Sequence, residues 1–253
     1  MGAALLSSLA GAAPASAGWT LPTPAPDRRN LADREVELWV VPLPLPATVV
    51  AALAATMSFD EWERAGRLIA PDKRQQFIAS RGVLRALLGA YLGVPPSEVT
   101  LTRQAHGKPA LPAEAGLSFN LSHTDGLLLV AVAAGLEVGV DVERIRPVES
   151  ASTLAARYFS ARERASMADG PVGFLRLWTC RESAVKAFGT GISAGWDDLR
   201  IVERSQGEAD AVSQDRNCHV RLLAPRPGYV AALAALTDRF SLRPPRVIEF
   251  SPA

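Results

Sequence analysis

The segment LWTCRESAVKAFGTGI, Leu177–Ile192, sets Trp178, Glu182 and Lys186 at intervals of four. That spacing puts all three on one face of a helix. Leu177, Ala184, Val185 and Phe188 make the remaining surface apolar. The pattern predicts a mostly buried helix over 172–188, with Gly189 placed to close it in the left-handed region. An exposed Glu/Lys pair contributes a few tenths of a kcal/mol. On a buried helix the same two side chains are candidates for a reaction site.

A partner for this helix stands upstream. In GVDVERI, Gly139–Ile145, residues 138, 140 and 142 are valines, and Gly139, Asp141 and Glu143 alternate with them. As a strand over 138–143, the valines anchor one face in a core and both acids share the other. Adjacent like charges repel unless water solvates them or a cation bridges them. Oxygen ligands without nearby Cys or paired His suit a hard ion such as Mg²⁺. A solvated strand face and a metal site both fit these two acids alone. Glu182 would be a third carboxylate beside them, with Lys186 in reach of a phosphate.

Further out, strands are predicted at 35–41, 117–123, 127–134, 199–203, 218–223 and 229–236. Pairs of short helices are predicted at 47–68 and 150–167, and long helices at 73–92 and 172–188. Thr124-Asp125-Gly126 is hairpin chemistry between two strands. SRGVLRALLG (80–89) faintly echoes CRESAVKAFG (180–189), setting Arg81 on Arg181, as an internal duplication would.

Between Arg64 and Arg85 lie Arg64, Arg67, Lys73, Arg74, Arg81 and Arg85 against one acid, Asp72. Arg81 and Arg85 are like charges at i,i+4, which destabilises a helix without an anion to compensate. Arg103, Lys108 and His123 add to this set, and phosphates are its natural counter-charge. In FNLSH (119–123), Ser122 and His123 are strand neighbours facing opposite ways. They cannot form a nucleophile–base pair, and Ser122 is not set in a GxSxG elbow.

The 253 residues are 48% hydrophobic and 21% charged, with net charge +1, which gives no global pull toward nucleic acid or membrane. Cys180 and Cys218 are far apart, which argues against a zinc module or disulfide framework and fits a reducing cytoplasm. The first 26 residues carry no charged side chain. They read as an Ala/Pro-rich disordered leader running to residue 34 rather than a secretory signal.

Taken in order, GKPAL (107–111), FNLSHTDG (119–126), GVDVERI and LWTCRESAVKAFGTGI resemble the Sfp-type 4′-phosphopantetheinyl transferases over about residues 35–240. The basic helix ahead of GKP belongs to the same pattern. The resemblance implies an α+β fold of two similar pseudo-symmetric halves. Each half would be a small, mostly antiparallel sheet on a long helix, with the active site in the cleft between them. Residues 35–135 would bind the phosphates of coenzyme A. Residues 136–242 would bind Mg²⁺ and carry catalysis, and 243–253 would be a tail.

By the same resemblance, Asp141, Glu143 and Glu182 match metal carboxylates, and Lys186 matches the lysine one turn beyond. Lys108, Ser122 and His123 match contacts to coenzyme A. Arg74, Arg81, Arg85 and Arg103 lie where further phosphate-binding groups occur. Arg181 replaces a common lysine, and the leader is outside the family pattern.

The implied reaction moves the phosphopantetheine arm of coenzyme A to a serine of an acyl- or peptidyl-carrier protein and releases 3′,5′-ADP. Glu182 could be metal ligand, general base or both. The loop 189–195 would receive an acidic helical carrier, with polyketide or nonribosomal peptide biosynthesis as the setting. A doubled chain builds its cleft alone, so a monomer is expected, without nucleic-acid or membrane partners. A Mg²⁺-dependent phosphohydrolase and a non-catalytic module binding coenzyme A are the alternatives.

Overall fold

The protein is described by a computed structural model over residues 25–104, 106–167, 169–191, 196, 198–213 and 216–248. Most of the expected leader and residues 192–195 of the expected carrier loop lie outside the described residues. Residues 25–34, expected to belong to the leader, are built into the fold. A 3-10 turn at Arg28–Asn30 is capped by the Asp27 side chain, Leu31 is buried, and Asp33 bridges to Ala134. This stretch has what the first 26 residues lack, a charged cap and an apolar anchor next to it.

The chain divides into two compact units. The described part of the first, Leu45–Val99, is helical. It contains α1 (Ala47–Ala54), α2 (Phe59–Gly66) and α3 (Pro71–Leu92). Gly82 lets α3 approach α1, because a methyl group there would overlap the Leu53 side chain. Helix α2 opens on a capping box in which Ser58 and Glu61 satisfy each other's backbone amides. Pro71 begins α3, and Gly93 ends it at φ 69°.

The second unit, Pro26–Pro44 with Thr100–Ile248, holds all the strands among the described residues. In chain order these are β1 (Glu35–Pro42), β2 (Thr102–Arg103), β3 (Pro109–Ala110), β4 (Leu117–Thr124), β5 (Leu127–Ala134) and β6 (Val138–Arg144). Then come α4 (Ala151–Tyr158), α5 (Ala161–Ala165) and α6 (Pro171–Phe188). The chain continues through β7 (Arg200–Ser205), β8 (Glu208–Ser213), β9 (Arg216–Leu223), β10 (Tyr229–Ala235), β11 (Ser241–Leu242) and β12 (Arg246–Val247).

One sheet runs β11-β1-β5-β4 with β12 also on β1, and another runs β6-β10-β9-β8-β7. They are antiparallel except where β11 and β12 join β1. The expected tail is therefore partly structural. Arg246 lies over the Trp39 ring at 4.3 Å, and Ile248 is buried.

One core joins the sheets. Val36, Leu38 and Val40 of β1 and Leu127, Leu129, Ala131 and Ala133 of β5 meet the β6 valines and Ala231, Leu233 and Ala235 of β10. The other face of β10 presents Val230, Ala232 and Ala234 to a second core with Ala184, Val185 and Phe188 of α6. Small residues on β10 let the helix lie close to the sheet. Cys180 and Cys218 are packed in this core, and burial raises both thiols to about 12.

Internal duplication is visible at a register the sequence echo misses. Arg181, 1% exposed, donates to both carboxylate oxygens of Glu163 (3.0 Å each) and to the carbonyls of Trp196 (3.3 Å) and Leu199 (2.7 Å). Glu163 closes a capping box with Ser160, and Gly189 ends α6 at φ 70°. Arg85, 3% exposed, reproduces this set. It donates to Glu61 (2.6 Å) and to the carbonyls of Pro96 (3.1 Å) and Val99 (3.0 Å). Gly93 follows Arg85 by the same interval at which Gly189 follows Arg181. Arg181 therefore corresponds to Arg85, not to Arg81.

Candidate functional site

Strand β6 is the outer strand of its sheet, and Gly139 faces α6. A methyl group there would overlap the Ser183 carbonyl oxygen and the Ala187 nitrogen. Helix and strand thus touch backbone to backbone, which lets Lys186 span the gap. Its Nζ donates to Asp141 Oδ1 (2.7 Å), to the Val140 carbonyl (3.1 Å) and to Ser122 Oγ (3.2 Å). Ser122 in turn donates to Asp141 Oδ1 at 2.8 Å.

Asp141 is left with one oxygen in use and one idle. Its Oδ2 is buried and has no hydrogen-bond partner among the described residues. Glu182, one turn before Lys186, is buried, and its carboxyl is pushed up to about 7. Burial is the main cause. The charges of Asp141 and Glu143 raise it further, and Lys186 opposes them. Glu143 accepts from Arg146 at 2.7 Å.

Among the described residues no three His, Cys, Asp or Glu side chains are gathered closely enough to form a ready cation cage. The three acids nevertheless face one another's fields, and a buried carboxylate oxygen without a donor is what a hard cation would satisfy.

The remaining expected residues belong to both units, each with its own surroundings. Arg85 is not available to a phosphate, because its guanidinium is buried and taken by Glu61 and two carbonyls. The like charges of Arg81 and Arg85 are compensated differently from the expected anion. Arg85 has Glu61, and Arg81 lies over the Phe77 ring at 5.4 Å. Arg74 is exposed and donates to the Leu68 carbonyl. Arg103 is exposed on β2. Lys108 reaches the start of β6, donating to Glu137 (3.0 Å) and to the Val138 carbonyl (3.1 Å). Ser122 and His123 part company as their alternation requires. Ser122 is buried against Asp141, and His123 is exposed.

Sequence reading passed over Asn120. Its Oδ1 accepts the Val140 N–H at 2.9 Å. The signal was present in the alternation of Ser118, Asn120, Ser122 and Thr124, whose side chains all bond to residues 136–144.

A lysine braced on a carboxylate, beside further acids on a strand and a helix, suits phosphoryl transfer, which is mostly positioning and charge stabilisation. The family description "4'-phosphopantetheinyl transferase superfamily" matches residues 137–234, and "4'-phosphopantetheinyl transferase, N-terminal" matches 44–135. The 4'-phosphopantetheinyl transferase HetI of Nostoc sp. is 43% identical over 178 residues, 67% of this chain and 75% of that protein. The 4'-phosphopantetheinyl transferase Sfp of Bacillus subtilis is 26% identical over 203 residues, 73% of this chain and 89% of that protein. The chain belongs to the 4′-phosphopantetheinyl transferase superfamily. It is a transferase that moves the phosphopantetheine arm of coenzyme A to carrier proteins.

Proposed function

We propose that Asp141, Glu143 and Glu182 hold a Mg²⁺ ion, and that these residues with Lys186 are the working centre of the transfer. The observation that carries this reading is the idle, buried Oδ2 of Asp141 beside a Glu182 carboxyl pushed up to about 7. Mg²⁺ bound there would act as a Lewis acid toward the pyrophosphate oxygens.

The chain's own groups supply the rest. Lys186 is already oriented by three acceptors, so a phosphate oxygen that displaces one of them gains a fixed cation. Glu182 lies near the pH at which a carboxylate best accepts a proton. In the transfer, the serine oxygen of the carrier bonds to the pantetheine-side phosphorus. The bond from that phosphorus to the bridging oxygen breaks, and 3′,5′-ADP leaves with the bond's electron pair. The serine proton passes to Glu182.

For the phosphates of coenzyme A, exposure favours Arg74, Arg103 and His123. Arg81, Lys108 and Ser122 remain in the proposed set, with Lys108 and Ser122 acting from their places against β6. The proposed division into a coenzyme-binding and a catalytic half falls at residue 135, where the two family descriptions meet. We assign the carriers to polyketide or nonribosomal peptide assembly, on the motif resemblance. A cytoplasmic monomer belongs to the same proposal; no described helix is long and apolar enough to cross a membrane.

The test is to incubate the protein with coenzyme A, Mg²⁺ and an apo carrier domain and to weigh the carrier. A gain of one phosphopantetheine, abolished by chelation, is the expected result. Cleavage of coenzyme A without carrier would instead mark a phosphohydrolase. Binding without turnover would mark a non-catalytic module.

A further inference from the structure

Strands β4 and β6 lie against each other but belong to different sheets and share no backbone ladder. Side chains from one face of β4 make the connection instead. Ser118 donates to the Leu136 carbonyl, Asn120 accepts from Val140 N, Ser122 donates to Asp141, and Thr124 accepts from Arg144 N. Of these, Asn120 is distinct. It is buried, at 6% exposure, and it holds the backbone N–H of Val140, the residue just before Asp141. The carbonyl of the same residue, Val140, accepts from Lys186. Val140 is therefore gripped at its nitrogen from β4 and at its oxygen from α6, and the next side chain along is the carboxylate with the idle oxygen.

We infer that Asn120 is a positioning residue for the site: by holding Val140 N–H it fixes the height and direction of Asp141 relative to Lys186 and Glu182. The inference rests on the Mg²⁺ reading above. Without the Asn120 acceptor, the outer edge of β6 loses a tie beside Asp141, and a buried N–H is left unpaired. The strand could then relieve that N–H by shifting, carrying Asp141 away from the geometry in which three acids can share one ion. A group that orients a ligand from behind typically changes metal affinity by about 10–100-fold when removed.

The experiment compares full-length wild type, Asn120→Ala and Ser118→Ala. Ser118→Ala removes a tie at the far end of the same strand face. Mn²⁺ binding is measured by calorimetry without coenzyme A or carrier, alongside transfer rate against Mg²⁺ concentration and thermal midpoint. Asn120→Ala should weaken Mn²⁺ binding and raise the Mg²⁺ concentration for half-maximal rate by about tenfold or more. Ser118→Ala should lower the midpoint while leaving both metal constants within about twofold of wild type. If Asn120→Ala does not fold, Asn120→Ser carries the same expectation. Unchanged metal constants in the Asn120 variant, or equal shifts in both variants, overturn the inference. A wild type that binds no metal and transfers without it would overturn the Mg²⁺ reading instead.

Discussion

Arg85 and Arg181 occupy equivalent places in two parts of the molecule. Each is buried, paired with the glutamate of a capping box, and bonded to two carbonyls three residues apart in the loop after its helix. In the second region the residues one and five positions beyond the arginine are Glu182 and Lys186. In the first they are Ala86 and Ala90. The duplicated part is the support, a long helix tied to a short one by a buried ion pair. The proposed metal and proton-transfer residues stand on one copy alone. Charge on a helix is thus no guide to function until its partner is known: Arg85 and Arg181 are spent on buried structural ion pairs, while Lys186 reaches Asp141 and is the one proposed for the site.

The largest expected effect separates support from site on a single helix. Glu182→Gln should lower kcat by roughly 10²–10⁴-fold, the range for losing a positioned proton acceptor, while the protein stays folded. Loss of folding rather than rate would mean that Glu182 belongs with Glu163 among the structural acids.

Next come the arginines. Arg85→Met and Arg181→Met each leave a buried carboxylate without its cation, so each should cost about 3–5 kcal/mol in denaturant unfolding. If Arg85→Met instead keeps its stability and raises KM for coenzyme A, the correspondence with Arg181 fails and Arg85 is a phosphate ligand after all.

A smaller effect concerns pH. The folded state raises Glu182 from 4.5 to about 7, so in metal-free protein its ionisation opposes folding. The cost is absent below about 4.5 and complete above about 7. It then reaches about 3 kcal/mol, because each tenfold gain in proton affinity on folding corresponds to ~1.4 kcal/mol. Glu182→Gln should therefore be more stable than wild type at pH 8 and equal to it at pH 4.5, measured by urea melts in chelator. A wild-type advantage at pH 8 would show that the burial of Glu182 is already compensated.

The smallest effect comes from His219, buried beside Phe240 with neither ring nitrogen bonded among the described residues. Burial lowers its pKa below the usual 6.5, and Glu208 opposes this. The stability it allows is complete above pH 6.5 and is lost as the pH falls below that value. His219→Phe should lose part of the acid-side decline in melting temperature; an unaltered decline would assign it to other groups.

Much of this was legible in residue order. The 3.6-residue pattern located both long helices, and the period-2 alternation located β4 and β6 together with the shared face of Asp141 and Glu143. Strand β8 was missed because EADAVS carries two acids and little β-branched surface, and only pairing with β7 and β9 makes it extended. The parallel additions of β11 and β12 to β1 are contacts across some two hundred residues, which no local pattern encodes. Arg85 was misread for a related reason: its counter-ion, Glu61, lies in a different helix. Lys186 and Asp141 could be nominated from their motifs, but their contact depends on Gly139 being bare, and that only packing shows.

That bare position has a mechanical consequence. Where a strand and a helix meet through side chains, their separation varies with every methyl group in the seam. Here two main chains abut, and peptide dimensions set the gap. Lys186 is consequently anchored to its acid beside a joint of backbone on backbone, which no side chain in the seam can widen or narrow.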